Sequence, residues 1–146
     1  MGIFTRSAGF ADTVERLAAK AGLKTVRKND QHVACLFGFP DGRTQMVHFH
    51  PAGEINGHPL VRIATPVAEI PPGQLPAEVA DGFLVQHFQF KFGAFGVVDM
   101  GTSRLLMLFH NMVLDRLEPD EFSLVIGTLA AAGDTWEQQL GGADRF

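Results

Sequence analysis

The chain has 146 residues, 46% of them hydrophobic and 19% charged, which suits one domain with its own core and excludes a disordered protein. Its net charge is -4 and it has no basic run, which argues against nucleic acid as a partner. The single cysteine, Cys35, excludes an intramolecular disulfide and is typical of a reducing compartment. The sequence has neither a signal peptide nor an apolar run long enough to span a bilayer, so we expect a cytoplasmic protein with no membrane contact.

The first predicted element is an amphipathic helix over about residues 9–21. Phe10, Val14 and Leu17 recur at helical spacing, and Gly22 follows where a left-handed residue often ends a helix.

A β-hairpin is predicted next, because "HVACLFGF" and "RTQMVHFH" flank the turn sequence "PDGR". A two-residue turn of Asp41 and Gly42 sets the pairing of the two strands. In that register Cys35 lies opposite His48, and His50 lies on the same strand face as His48.

The rest of the chain is predicted to form a third strand, a helix, a second hairpin and a final helix. A turn at Gly101 and Thr102 in the second hairpin places Asp99 opposite Arg104. The elements are a strand "LVRIATPV" ending at Pro66, a helix over about residues 75–90, strands "AFGVVDM" and "RLLMLFHNMVL", and a helix beginning at Pro119. The apolar stripe of that last helix is Phe122, Val125, Ile126, Leu129, Gly133, Trp136 and Leu140.

These elements predict a single α+β domain over residues 1–146, with order α-β-β-β-α-β-β-α and helices packed on a five-stranded antiparallel sheet. Both sheet faces are apolar in this pairing, whereas a sheet with one wet face alternates apolar and polar residues. We therefore expect a homodimer or a docked protein segment to cover the second face. The two faces of the first hairpin carry Val33, Cys35, Phe37 and Met46 on one side and Ala34, Leu36, Val47 and Phe49 on the other.

The element order and three stretches resemble the type III secretion chaperone-like fold and, within it, the YbjN family of small bacterial proteins. The stretches are "LVRIATPVAEIP", "FKFGAFGVVDMGTSRLLMLFHNMVL" and "LEPDEFSLVIGTLAAAGDTWEQQL". The resemblance implies a homodimer that holds an extended segment of a partner across apolar patches, or a regulatory role of the YbjN type. It supplies no catalytic residues and no cofactor.

A metal site is the alternative suggested by Cys35, His48 and His50, with His58 or water as a fourth zinc ligand. The same predicted face also carries apolar side chains, and no carboxylate is placed to orient the imidazoles. The competing interpretation is polar-tipped side chains near a strand end or at a dimer surface.

A cluster of Phe88, Phe90 and Phe92 is the predicted partner-binding site, with core filling as the alternative. No sequence motif of hydrolytic or dinucleotide chemistry is present. The leading hypothesis is thus a non-enzymatic, dimeric protein-binding module, and the second is a metal- or small-ligand-binding protein or enzyme that uses Cys35, His48 and His50. A regulator acting through an unknown protein contact is the third.

Overall fold

The structure, a computed structural model, describes residues 9–70, 73 and 75–140. The described strands form one antiparallel sheet of six, in the order β1-β2-β3-β4-β6-β5. The α+β class and the three helices are confirmed, but the prediction of five strands is wrong. In chain order the elements are α1 (Phe10–Lys20), β1 (Val26–Asn29), β2 (His32–Gly38), β3 (Thr44–Ile55), β4 (His58–Ile70), α2 (Ala77–His87), β5 (Ala94–Asp99), β6 (Arg104–Val113), a 3-10 turn (Leu114–Arg116) and α3 (Pro119–Leu140).

The strand missed by the sequence prediction is β1, a short edge strand that pairs with β2. All four of its residues are exposed. The strand therefore has no buried apolar side chains whose alternation with polar ones would mark it in the sequence. Arg27 of β1 contacts Asp12 and Glu15 of α1, each at 2.6 Å. A short, charged edge strand of this kind also protects a sheet from pairing with other chains.

The first hairpin turns through three residues, not the two that Asp-Gly predicted. The Gly42 N–H donates to the Phe39 carbonyl at 2.9 Å, and the Phe39 N–H donates to the Arg43 carbonyl at 2.9 Å. Gly42 has a φ of 87°, as expected for the last residue of a three-residue loop.

This loop changes the register, so Cys35 pairs with Val47 and not with His48. The predicted pairing was wrong by one residue. Because side chains alternate between faces, that single step places Cys35 and His48 on opposite faces of the sheet.

The second hairpin has the predicted register, with Asp99 opposite Arg104. Gly101, with a φ of 86°, lies in its turn. The Asp99 carboxylate accepts a hydrogen bond from the Gly101 N–H at 2.9 Å, and Arg104 donates to the Gly73 carbonyl.

Strand β4 continues past Pro66, where the sequence prediction ended it. The pairing with β6 shifts between Pro66 and Ala68, and a bulge is one of the few places where a sheet accepts proline.

The described helices lie on one face of the sheet. The hydrophobic core lies between the helices and that face. The Phe49 ring of β3 packs against Phe122 of α3 with centroids 5.5 Å apart. The Phe83 ring of α2 contacts Trp136 of α3 at 6.1 Å. No helix in the described part of the chain is long and apolar enough to cross a bilayer.

The inner face of α3 differs from the predicted stripe at its C-terminal end. Leu140 is 42% exposed, while Asp134 and Glu137 are 7% and 2% exposed. These two carboxylates face Arg43, which lies next to the first hairpin turn. Their burial could not be read from an apolar periodicity, because the cation that accompanies them lies 91 residues away from Asp134.

Helix α3 lies close to the sheet at Gly133, beside the two fully buried polar side chains of Gln45 and Thr65. Gln45 donates from Nε2 to Thr65 Oγ1 at 2.6 Å and to the Pro66 carbonyl at 2.8 Å. A Cβ atom at Gly133 would lie 2.7 Å from Thr65 Cγ2 and 3.2 Å from Gln45 Nε2. A larger residue there would force the Thr65 or Gln45 side chain, or the helix itself, to shift.

We expect Gly133→Ala to lower the free energy of unfolding by about 1–3 kcal/mol, because the added methyl group overpacks this contact. The matched control is Gly127→Ala on the same helix, where a Cβ atom meets nothing within 4 Å. That change should raise stability by about 0.5–1 kcal/mol through helix propensity. Urea denaturation of both variants measures the effects, and equal gains would contradict the close approach.

Candidate functional site

The sheet face opposite the described helices is lined by apolar side chains from the central strands. Leu36 is 58% exposed, and Met46, Met107 and Phe109 are partly buried. The register places these residues on one face, since each alternates with a core residue along its strand. We call this surface the open sheet face and define it by Ala34, Leu36, Met46, Ala64, Met107 and Phe109.

The Phe109 side chain is fixed in place at one side of the open sheet face. A Cβ atom at Gly96 would lie 3.0 Å from the Phe109 ring, so the ring packs across a glycine of the neighbouring strand. The Arg62 guanidinium carbon lies 5.3 Å from the ring centroid, within the range of a cation–π contact. Arg62 Nε also donates to Asn111 Oδ1 at 3.0 Å.

Helix α2 provides a second apolar surface. None of its residues is fully buried. Its inner side uses Phe83 and His87, whose rings lie 4.7 and 5.3 Å from Phe95. Its outer side exposes Leu84 at 65%, Val85 at 59% and, directly after the helix, Phe88 at 91%. We call Leu84, Val85 and Phe88 the α2 patch.

The predicted cluster of Phe88, Phe90 and Phe92 is divided between surface and core. Phe90 packs edge-on against Phe95 with centroids 5.2 Å apart, and Phe92 packs against His110 at 5.6 Å. Only Phe88 of the three is exposed. A role for Phe88 in partner binding stays a prediction, whereas Phe90 and Phe92 pack against the core.

Three histidines meet on the same sheet face as Leu36 and Met46. His32 begins β2, and His48 and His50 lie two residues apart on β3. The Nε2 atom of His32 and the Nδ1 atom of His48 are 2.9 Å apart, and the His32 and His50 ring centroids are 4.2 Å apart. We call these three residues the histidine cluster.

All three pKa values in the histidine cluster are lowered. The pKa of His48 falls from 6.5 to about 4, first because of burial and then because of repulsion from His32 and His50. Burial is also the main cause for His32 and His50, and the nearby charges of Lys28 and Arg62 contribute. The imidazoles are therefore neutral at pH 7.

Cys35, the predicted third ligand beside His48 and His50, lies on the core face and is 3% exposed. Burial raises the pKa of its thiol, which disfavours the thiolate needed for metal binding or nucleophilic attack. His58, the predicted fourth ligand, instead contacts Asp115 at 2.8 Å. His32 takes the place expected for Cys35, and only the correct hairpin register would have identified it from sequence.

No model of a known protein family and no curated protein matches the chain. A chain in the crystal structure of the ExsC-ExsE complex is similar, with a TM-score of 0.59 and 16% identity over 91% of this chain and 97% of that chain. This similarity supports a type III secretion chaperone-like fold and does not extend to the YbjN family. The protein therefore has a chaperone-like α+β fold with three described helices and a six-stranded antiparallel sheet.

Proposed function

We propose that this protein is a non-enzymatic, homodimeric protein-binding module of the cytoplasm that holds a segment of another protein on apolar surface. The observation that carries the proposal is the arrangement of the described helices on one side of the sheet. On the open sheet face Leu36 is exposed, and Met46, Met107 and Phe109 are only partly buried within one chain. Accessible apolar surface of this kind is typical of an interaction site.

A second copy of the chain is the occupant that we assign to the open sheet face. Leu36 projects from it with 58% of its surface exposed, and accessible methionine and phenylalanine side chains suit the self-complementary contact of a two-fold dimer. A face made of regular strands is also rigid, so little conformational entropy is lost when it is covered.

The α2 patch is the surface that we assign to the partner protein. Leu84, Val85 and Phe88 lie on one side of a helix end, and such a row of apolar residues can contact an apolar segment of another chain. The similar chain was crystallised in a complex of ExsC with ExsE, which supports protein binding by analogy of fold. A regulatory action would use the same contact.

We expect Leu36→Asp to convert the dimer to a monomer, because a carboxylate buried in a symmetric interface has no partner in either copy. The control is Leu124→Asp, which changes a leucine of α3 that is 60% exposed and lies outside both surfaces. Light scattering at micromolar concentration measures the oligomeric state. A monomeric wild type, or a dimer that survives Leu36→Asp, would contradict the assignment of the open sheet face.

Partner binding is tested by co-purification from the native host and mass spectrometry. The test uses the same variants and a further single variant, Phe88→Ser. A specific protein should accompany the wild type and Leu124→Asp, and be lost or depleted with Phe88→Ser. Recovery of the same protein with Phe88→Ser would remove the α2 patch from the proposal, and recovery of no specific protein would reject partner binding.

A further inference from the structure

We propose that His32, His48 and His50 form a metal site that binds one zinc ion or a related first-row divalent cation. Each of the three imidazoles offers a ring nitrogen, and these nitrogens all lie within 4.8 Å of one another. Imidazole nitrogen is a preferred ligand for zinc, copper and nickel. Three ligands with water in the fourth position complete a tetrahedral zinc site.

The spacing of the histidine cluster is close to that of a tetrahedral site. The His32 Nε2 and His48 Nδ1 atoms are 2.9 Å apart, whereas two nitrogens bound to one zinc ion at about 2.0–2.1 Å are separated by roughly 3.3 Å. A zinc ion can replace the hydrogen bond between these two rings if the nitrogens move apart by roughly 0.4 Å. The widest nitrogen pair of the cluster, at most 4.8 Å apart, has to close by up to roughly 1.5 Å, which is within the reach of side-chain rotation.

The backbone that carries the ligands is regular sheet. His48 pairs with Ala34 across the hairpin, and Ala34 lies two residues after His32 on the same face of β2. His50 follows His48 on the same face of β3 and pairs with Arg62 of β4. Ligands on adjacent paired strands are held more precisely than ligands on loops.

The protonation of the cluster favours a cation over protons. A metal binds only the neutral imidazole, and burial is the largest cause that lowers the pKa of all three rings.

One partner that orients a ligand is already in place. The backbone of Gln31 interacts with the His50 ring and opposes the lowering of its pKa, and a backbone group beside a ring nitrogen is a usual support for a histidine ligand. The charges of Lys28 and Arg62 oppose the cation. Arg62 is held by Asn111 and Phe109, so its guanidinium already has a partner on each side.

Zinc titration of protein made without an affinity tag and stripped with a chelator is the test. We expect one zinc ion per chain, with micromolar or tighter affinity by isothermal titration calorimetry. His48→Gln and His50→Gln should each weaken binding at least about tenfold. The matched control is His58→Gln, which removes an exposed histidine paired with Asp115 and should bind zinc as the wild type does.

Cobalt(II) loading of the wild type keeps the test independent of how well the variants fold. The spectrum should show the visible bands of a tetrahedral nitrogen and oxygen site without a thiolate charge-transfer band, since Cys35 lies on the other face. The proposal is overturned if the wild type binds no stoichiometric zinc, if His48→Gln and His50→Gln bind it unchanged, or if a thiolate band appears. All three ligands come from one chain, so the result does not depend on the proposed dimer.

Discussion

Replacing Arg43 with methionine is expected to lower the free energy of unfolding by about 3–5 kcal/mol. The Arg43 Nε atom lies 2.6 Å from Asp134 Oδ1, and its Nη2 atom lies 3.7 Å from Glu137 Oε2. The exposed fractions of the three side chains are 17%, 10% and 2%. Without the guanidinium, two carboxylates stay buried between α3 and the sheet, and methionine neither neutralises them nor donates hydrogen bonds.

Two controls separate buried charge from lost packing at this site. The triple variant Arg43→Met, Asp134→Asn and Glu137→Gln removes the carboxylates as well, and it should recover most of the lost stability because no unpaired charge is left. Arg27→Met removes an arginine that contacts three carboxylates at the surface, and exposed ion pairs contribute little. Urea denaturation of the three variants measures the differences. A triple variant as unstable as Arg43→Met would show that packing, and not charge, is responsible.

The metal-free protein is expected to lose stability as the pH falls from 6.5 toward 4. The pKa of His48 is 6.5 in its ordinary state and about 4 in the folded chain, so in this range the unfolded chain binds a proton that the folded chain does not. The stability from the neutral ring is therefore complete above pH 6.5 and is lost as the pH approaches 4. A fully buried ring with this shift corresponds to about 3 kcal/mol, and partial exposure reduces it to about 1–2 kcal/mol.

The comparison of wild type with His48→Gln isolates this contribution. Both proteins are stripped of metal and unfolded with urea at several pH values between 7 and 4. Carboxylates titrate in the same way in both, so the difference between the two curves reports the imidazole. The wild type should lose more stability than the variant over this range, and parallel curves would contradict a buried neutral His48.

Local sequence signals were sufficient wherever neighbouring residues decide the structure. Helix α1 and the second hairpin follow their predicted patterns, and the register of Asp99 with Arg104 is correct. The first hairpin had an equally clear turn signal, but the loop length predicted from it was wrong. Asp-Gly suits a two-residue turn and also the end of a three-residue loop after proline. That one residue moved Cys35 into the core and His32 into the histidine cluster.

Strand β1 and the buried charges of α3 had no local signal at all. β1 is stabilised as a sheet edge by its pairing with β2 and by the contacts of Arg27 with α1. Asp134 and Glu137 resemble solvated helix residues in the sequence, and they are buried only because Arg43 meets them across the fold. Partners that are distant in sequence decide such positions.

The sequence by itself determined the α+β class, the helix order, the presence of both hairpins and the apolar side chains on both sheet faces. These features follow from periodicity and turn chemistry, which act over a few residues. Only the tertiary structure decided which side chains share a face. It brought His32 to His48 and His50 and placed Phe88 outside and Phe90 and Phe92 against the core. It also left one sheet face without a helix from residues 9–70 and 75–140. The physical reason is that strand pairing is a long-range choice in which a shift of one residue exchanges the two faces.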